Sequence, residues 1–163
     1  MRQMKLTCGM ILGCIVLVFF ASPSFSGEKR KITLLTGVSN SYNFGMAIAE
    51  IVGSPEIDRD ISLQFYTDED VKRAGIDEKT REDIHQADIL LVDIMYRGLR
   101  LYVSENVDFK KTKVYSMRFS PIDEKGKKFI FDRRVLLYSA SPTKENIKNL
   151  LLFLLKRDCG FNV

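Results

Sequence analysis

The sequence predicts an α/β fold, a Rossmann- or flavodoxin-like open and mainly parallel sheet with helices on both faces. Two observations predict it. Strand-like and helix-like segments alternate along the chain, which is typical of parallel strands joined by crossover helices. The continuous apolar run Ile-Leu-Leu-Val at residues 89–92 also has the length and composition of a strand that is buried on both faces. We expect this run to be the central strand.

The first strand–loop–helix unit opens the domain. Residues 31–36 are rich in aliphatic and β-branched side chains and are followed by Gly37, which predicts a strand that ends there. A polar loop follows. Residues 44–52 then have apolar side chains spaced three and four apart, as in a helix, and Gly53 ends this pattern.

The middle of the chain predicts an edge strand and two short helices. Residues 61–66 alternate apolar and polar side chains, which indicates a half-buried strand near an edge of the sheet. Thr67 and Asp68 begin a short helix that Gly75 ends, and residues 78–86 form a polar helix before the central strand. Residues 99–103 form either part of a helix or a packed loop.

The last third contains one ambiguous segment and one clear helix. Residues 113–117 predict a strand and residues 119–128 a loop, whereas residues 129–138 predict a strand or a bent strand. A helix over residues 144–156 begins after Thr143, a favourable N-cap residue. Its stretch from Leu150 to Leu155 is apolar nearly all round, so we expect burial on more than one side.

Residues 1–26 have the pattern of a secretory signal peptide. Arg2 and Lys5 precede an apolar stretch, and small residues around Ser24 and Ser26 form a cleavage site before Gly27. We expect cleavage, export to the periplasm or another extracytoplasmic location, and a single α/β domain over residues 27–163. The alternative is an uncleaved membrane anchor.

The composition excludes several classes of function. Loss of Arg2 and Lys5 would lower the formal charge from +4 to +2, with acids and bases interspersed, so no nucleic-acid partner is expected. The domain keeps one cysteine, Cys159, and has one histidine, His85. It therefore cannot form an internal disulfide, and we expect no metal site built from cysteine and histidine.

The candidate binding site lies at the carboxyl ends of the first and central strands. Ligands of open α/β sheets bind outside these strand ends. The loop after the first strand lacks both GxGxxG and GxxxxGK[ST], so it is either a binding loop without a nucleotide fingerprint or a surface loop. After the central strand, Asp93 and Arg97 either contact a ligand or have a structural role. In the structural role, Asp93 caps the next turn and Arg97 pairs with a nearby acid. The candidate ligand-binding residues are Ser39, Asn40, Asn43, Asp93, Tyr96 and Arg97.

No catalytic arrangement follows from residue spacing, so the sequence predicts no catalytic residues. The adjacent Arg133 and Arg134 form either an anion site or a strand-edge charge that discourages aggregation.

Three segments resemble a known family. They are residues 31–36, the stretch from Ala87 through the apolar run to Met95, and residues 143–155, where a Glu-Asn pair opens a leucine-rich helix. In this order they resemble the N-terminal region of the large, tetrapyrrole-binding subunit of cobaltochelatase and magnesium chelatase. Ser141 and Pro142 stand where that family commonly has glycines.

The resemblance implies a binding or docking role in tetrapyrrole metal handling, with a cobalamin-type or porphyrin ligand. It also implies a partner chain or a missing C-terminal body against Leu150 to Leu155. The family's metal-insertion chemistry lies in that body, and none of its catalytic acids or histidines has a match here, so the chain is not expected to be catalytic alone. The alternative is a periplasmic α/β domain that binds a small ligand.

Overall fold

The computed structural model describes residues 29–54, 57, 61–93, 97–118 and 129–161. Four parallel strands form one sheet in the order β2-β1-β3-β4. The open, parallel α/β fold is therefore confirmed. The strands are β1 (Arg30–Thr36), β2 (Ile61–Thr67), β3 (Ile89–Asp93) and β4 (Lys113–Ser116). The helices are α1 (Ser41–Val52), α2 (Asp68–Ala74), α3 (Glu78–His85), α4 (Arg97–Asn106), α5 (Arg133–Ala140) and α6 (Lys144–Cys159).

The hydrophobic pattern of each strand matches its place in the sheet. All five residues of β3 are buried, as the continuous apolar run predicted for a central strand. The alternating β2 is half-buried over five of its seven residues and pairs only with β1 among the described strands. The prediction of an edge strand is confirmed.

Helices cover both faces of the sheet, because alternate residues of β1 and β3 point to opposite sides. On one face, Ile32 and Leu34 join a core with residues of α1, α5 and α6. On the other face, Leu35 and Leu90 join a second core with residues of α2, α3 and α4. The sheet is thus the middle of three layers.

Side-chain caps fix where several helices begin. Thr67 and Asp70 form a reciprocal capping box at the start of α2. Asp77 accepts from the backbone of Thr80 at the start of α3, and Thr143 caps α6 as the sequence predicted. These caps fix the N-termini of α2, α3 and α6.

The prediction of a strand over residues 129–138 is wrong. Ile130 joins the sheet through a single parallel bridge to Tyr115, and the helix α5 begins at Arg133. Asp132 explains the change, because its carboxylate accepts from the backbone N–H groups of Arg134 and Val135 and so starts a helix. The arginine pair consequently lies on a helix, so it does not protect a strand edge. The open choice for residues 99–103 resolves as helix, within α4.

The leucine-rich part of α6 is buried within this domain. Leu150, Leu151, Leu154 and Leu155 are fully buried against α1, α5 and the sheet. The prediction of burial on more than one side fits this arrangement. These four side chains pack in the chain's own core, so they are not accessible to a partner in this structure. The intervening Leu152 and Phe153 are only partly buried.

The predicted signal peptide lies outside the described residues. Within the part of the chain that the structure describes, no helix has the length and apolar character needed to cross a bilayer.

Candidate functional site

The candidate site lies where the strand order of the sheet reverses. The chain passes from β1 outward to β2 and then returns to place β3 on the other side of β1. The helices that follow β1 and β3 therefore leave on opposite faces of the sheet, and a crevice forms between the two strand ends. In open α/β sheets this is the usual position of a ligand.

Asp93 is the central residue of this site. It is the last residue of β3, lies opposite Thr36 of β1 in the sheet register, and is only 4% exposed. Its Oδ2 accepts from Nδ2 of Asn40 at 3.0 Å and from the hydroxyl of Thr36 at 3.4 Å. Its Oδ1 accepts from Nε of Arg118, with which it forms an ion pair. One buried carboxylate thus joins three separate segments.

Arg118 is a residue of this candidate site that sequence reasoning missed. It lies two residues beyond β4, whose ladder to β3 is extended by a hydrogen bond of 3.0 Å from Met117 N to Val92 O. Its side chain remains 47% exposed, so it presents positive charge at the sheet edge. Asp93 was selected because ligands bind outside the carboxyl ends of parallel strands. The same reasoning, applied to the predicted fourth strand, would also have selected Arg118.

The loop after β1 contributes unevenly to the site. Asn40 contacts Asp93, and Ser39 is exposed beside it in a 3-10 turn at Val38–Asn40. The turn is fixed from the other side by Asp68, which accepts from the backbone N–H of Val38 at 3.2 Å.

Of the other candidate residues, Asn43 contacts a different segment, and Arg97 follows β3 at the start of α4. Asn43 donates from Nδ2 to the carbonyl of Pro142 at 2.9 Å and so connects α1 to the segment before α6. Arg97 is exposed at the first position of α4. Tyr96 lies outside the described residues. The structure therefore joins Asn40 and Asp93 of the predicted set by a hydrogen bond, and Ser39 precedes Asn40 in the same turn.

This site is rich in hydrogen-bonding groups. Its groups are a carboxylate, an amide, a hydroxyl and a guanidinium, and the carboxylate already accepts from the other three. Such an arrangement holds donors in place for an anionic or polar ligand. Across the described ranges, no cluster of three histidine, cysteine, aspartate or glutamate side chains could hold a metal ion.

A second polar network lies around Tyr115 of β4. Its hydroxyl contacts Asp158 at 2.9 Å and Nη2 of Arg157 at 2.5 Å, and Lys113 contacts Asp158 at 2.8 Å. Burial, followed by the hydrogen bond to Asp158, raises the pKa of Tyr115 to about 12. The tyrosine therefore stays neutral at ordinary pH and serves to join β4 to α6.

No protein-family model, curated protein or solved structure matches this chain.

Proposed function

We propose that this chain is an exported ligand-binding domain of the type that forms the N-terminal region of chelatase large subunits. In this role it binds or docks a tetrapyrrole during metal handling and does not insert metal alone. The observation that carries the proposal is the polar cluster on Asp93, because it lies at the crevice between β1 and β3 where such folds bind ligands.

The charge of the cluster suits a ligand with carboxylate groups. Biological tetrapyrroles carry acidic side chains on a flat apolar ring. Arg118 and Asn40 supply N–H donors on either side of Asp93, and Arg118 is half exposed. Because guanidinium groups bind carboxylates strongly, a ligand carboxylate would add to the cluster without removing Asp93 from its donors.

The resembling segments also support the proposal, since they coincide with structural elements of this domain. The segments at residues 31–36 and 87–95 include most of β1 and all of β3, and the third segment covers most of α6. These elements form the centre of the sheet and the largest helix on one face. The likeness therefore concerns the parts that position the proposed site.

Absorbance titration tests the proposal. The purified chain is titrated with protoporphyrin IX and, separately, with a cobalt corrinoid, while the visible absorption bands of the ligand are followed. We expect a saturable band shift that Arg118→Ala weakens and that Arg73→Ala leaves unchanged. Arg73 is a matched control because it is an exposed arginine, paired with Glu69 on α2. Absence of a shift at tens of micromolar ligand would refute tetrapyrrole binding.

The second candidate function is recognition of a small polar or anionic solute at the same edge. It is favoured by the composition of the cluster, in which Asn40, Arg118 and the exposed hydroxyl of Ser39 are all hydrogen-bonding groups. Ligand binding to the native state raises the melting temperature. A screen of phosphate, small carboxylates and sugars should then give a shift that Asn40→Ala abolishes. A screen without any shift would exclude this candidate.

The exported location is proposed from the leader pattern of residues 1–26 alone. N-terminal sequencing of the chain recovered from cells tests it. We expect a mature protein that begins at Gly27, and recovery of the intact N-terminus in the soluble cytoplasmic fraction would contradict export.

A further inference from the structure

An open groove of about 560 Å³ lies between the start of α5 and the second half of α6. It is separate from the Asp93 site, which lies at the crevice between β1 and β3. Four cations, one carboxylate and one aromatic ring line it. These residues are Asp132, Arg133, Arg134, Phe153, Lys156 and Arg157.

Three of the four cations have no carboxylate partner among the described residues. Arg133, Arg134 and Lys156 are exposed, and no ion pair involves them in that part of the chain. This differs from neighbouring cations of the same helix. Lys144 and Lys148 share Glu50, for example. The groove consequently has an excess of positive charge.

The fourth cation and the aromatic ring give the groove a fixed floor. Arg157 pairs with Asp132 at 2.6 Å and with Asp158 at 3.0 Å. Its guanidinium carbon lies 4.5 Å from the centre of the Phe153 ring, and that of Arg134 lies 5.2 Å from the same centre. Both contacts are within the range of cation–π interactions, so Phe153 holds two arginines at the groove.

The position of the arginine pair is unfavourable for the helix itself. Arg133 and Arg134 occupy the first turn of α5, where the helix dipole is positive and cations destabilise. The N-cap carboxylate of Asp132 offsets part of this, but it also neutralises Arg157. Helix stability therefore does not account for the arginines, whereas a bound anion would gain from their side chains.

We propose that this groove binds an acidic peptide segment of a partner protein. Clusters of arginines on a protein surface are a common means of recognising acidic motifs, and the charge of this groove is complementary to one. The groove is wide open to solvent, whereas small-molecule sites usually enclose most of their ligand. An extended segment can place carboxylates on the cations and an apolar side chain near Phe153, and can continue beyond the groove at both ends.

The groove places a partner on a different side of α6 from the one expected from the sequence, which was the leucine-rich side. The leucines at positions 150, 151, 154 and 155 are fully buried in the domain. Phe153 and Lys156 lie on the outer side of the same helix and line the groove. A partner would thus contact α6 through these two residues. The inference is independent of the proposed tetrapyrrole site.

Fluorescence anisotropy tests the inference with a labelled peptide of repeated Glu-Glu-Leu triplets and the full chain. Combined Arg133→Ala, Arg134→Ala and Lys156→Ala should weaken binding about tenfold, because each exposed charge contributes a fraction of a kcal/mol. The matched control is combined Lys79→Ala, Arg81→Ala and Lys111→Ala, which removes three exposed cations outside the groove. The control should bind as the unchanged chain does. The single reversal Lys156→Glu provides a second groove variant.

Three outcomes would overturn the inference. Equal weakening in the groove variant and the control would show attraction to net charge alone. Equal binding of the same peptide with glutamine in place of glutamate would exclude recognition of acids. Sedimentation with phosphatidylglycerol vesicles in the absence of any peptide binding would assign the groove to a membrane surface instead.

Discussion

Asn40 donates from Nδ2 to Oδ2 of Asp93 over 3.0 Å, and this bond fixes the loop after β1 to the last residue of β3. The two residues are separated by 53 positions in the chain but meet because β1 and β3 are adjacent in the sheet. Together with the Arg118 ion pair, the bond positions hydrogen-bond donors at the crevice between β1 and β3. Preorganised donors reduce the entropy lost on binding.

The first prediction concerns the removal of the central carboxylate. Asp93→Ala should lower the free energy of unfolding by about 2 kcal/mol, because Thr36 and Asn40 lose a buried acceptor. Arg118→Ala should cost less, about 1 kcal/mol or below, since that side chain is 47% exposed and water can partly replace it. Urea denaturation measures both. If Asp93→Ala lowered the free energy of unfolding by only a few tenths of a kcal/mol, its hydrogen bonds would not stabilise the strand ends.

The second prediction concerns the capping box of α2 and its dependence on pH. The hydrogen bonds from the side chain and backbone of Thr67 lower the pKa of Asp70 from its ordinary value of 3.8. A carboxylate with a lowered folded-state pKa stabilises the fold fully above its unfolded pKa, and loses this effect as the pH falls through the folded value. Thr67→Ala should therefore cost about 1 kcal/mol at neutral pH and measurably less below about pH 4.

Thr143→Ala is the control for this pH dependence. Thr143 caps α6 by accepting from the backbone of Asn146, whose side chain does not titrate. The cost of this substitution should be similar at neutral pH and should not follow the Asp70 titration. Denaturation curves at several pH values compare the two variants. Parallel pH profiles would contradict a specific contribution from Asp70.

Much of the fold could be predicted because local patterns carry it. The apolar run of β3, the alternation of β2 and the caps at Thr67 and Thr143 each reflect burial or hydrogen bonding within a few residues. The segment before α6 was predicted as a strand because apolar and charged side chains alternate around Arg133 and Arg134. Asp132 followed by arginines and aliphatic residues also indicates a helix N-terminus, and the structure has a helix that begins there.

The candidate site was only partly predictable because it depends on which strands are neighbours. The positions of Asn40 and Asp93 follow from the strand-end rule. The contact of Arg118 with Asp93 requires that β4 lie next to β3, and no local pattern encodes that pairing. Asn43 has the right residue type for a binding loop, but one turn into α1 its amide reaches Pro142 instead.

The third prediction concerns the tyrosine that joins β4 to α6. Burial, followed by the hydrogen bond to Asp158, raises the pKa of Tyr115 from 10.0 to about 12. Because the folded-state pKa is raised, the neutral tyrosine contributes fully to the free energy of unfolding below its unfolded-state pKa. This contribution is lost as the pH rises toward the folded-state pKa. The chain should thus lose stability between about pH 10 and pH 12, and Tyr115→Phe should reduce this alkaline loss.

Tyr42→Phe is the control for the alkaline prediction. The residue Tyr42 is 75% exposed, so removal of its hydroxyl disturbs no buried contact. Denaturant unfolding at neutral and alkaline pH compares the variants, and near-ultraviolet absorbance follows phenolate formation. A Tyr115→Phe variant as sensitive to high pH as the Tyr42→Phe variant would contradict the assigned role of Tyr115.

The fourth prediction separates the buried and outer sides of α6. Leu151→Ala should lower the free energy of unfolding by about 3 kcal/mol, because Leu151 is fully buried and its truncation leaves a cavity. Leu152→Ala, next to it on the same helix, should cost about 1 kcal/mol or less because Leu152 is only partly buried. Urea denaturation measures both, and the adjacent position controls for helix propensity. Equal losses would contradict the packing that leaves Phe153 and Lys156, and not the leucine core, to meet a partner.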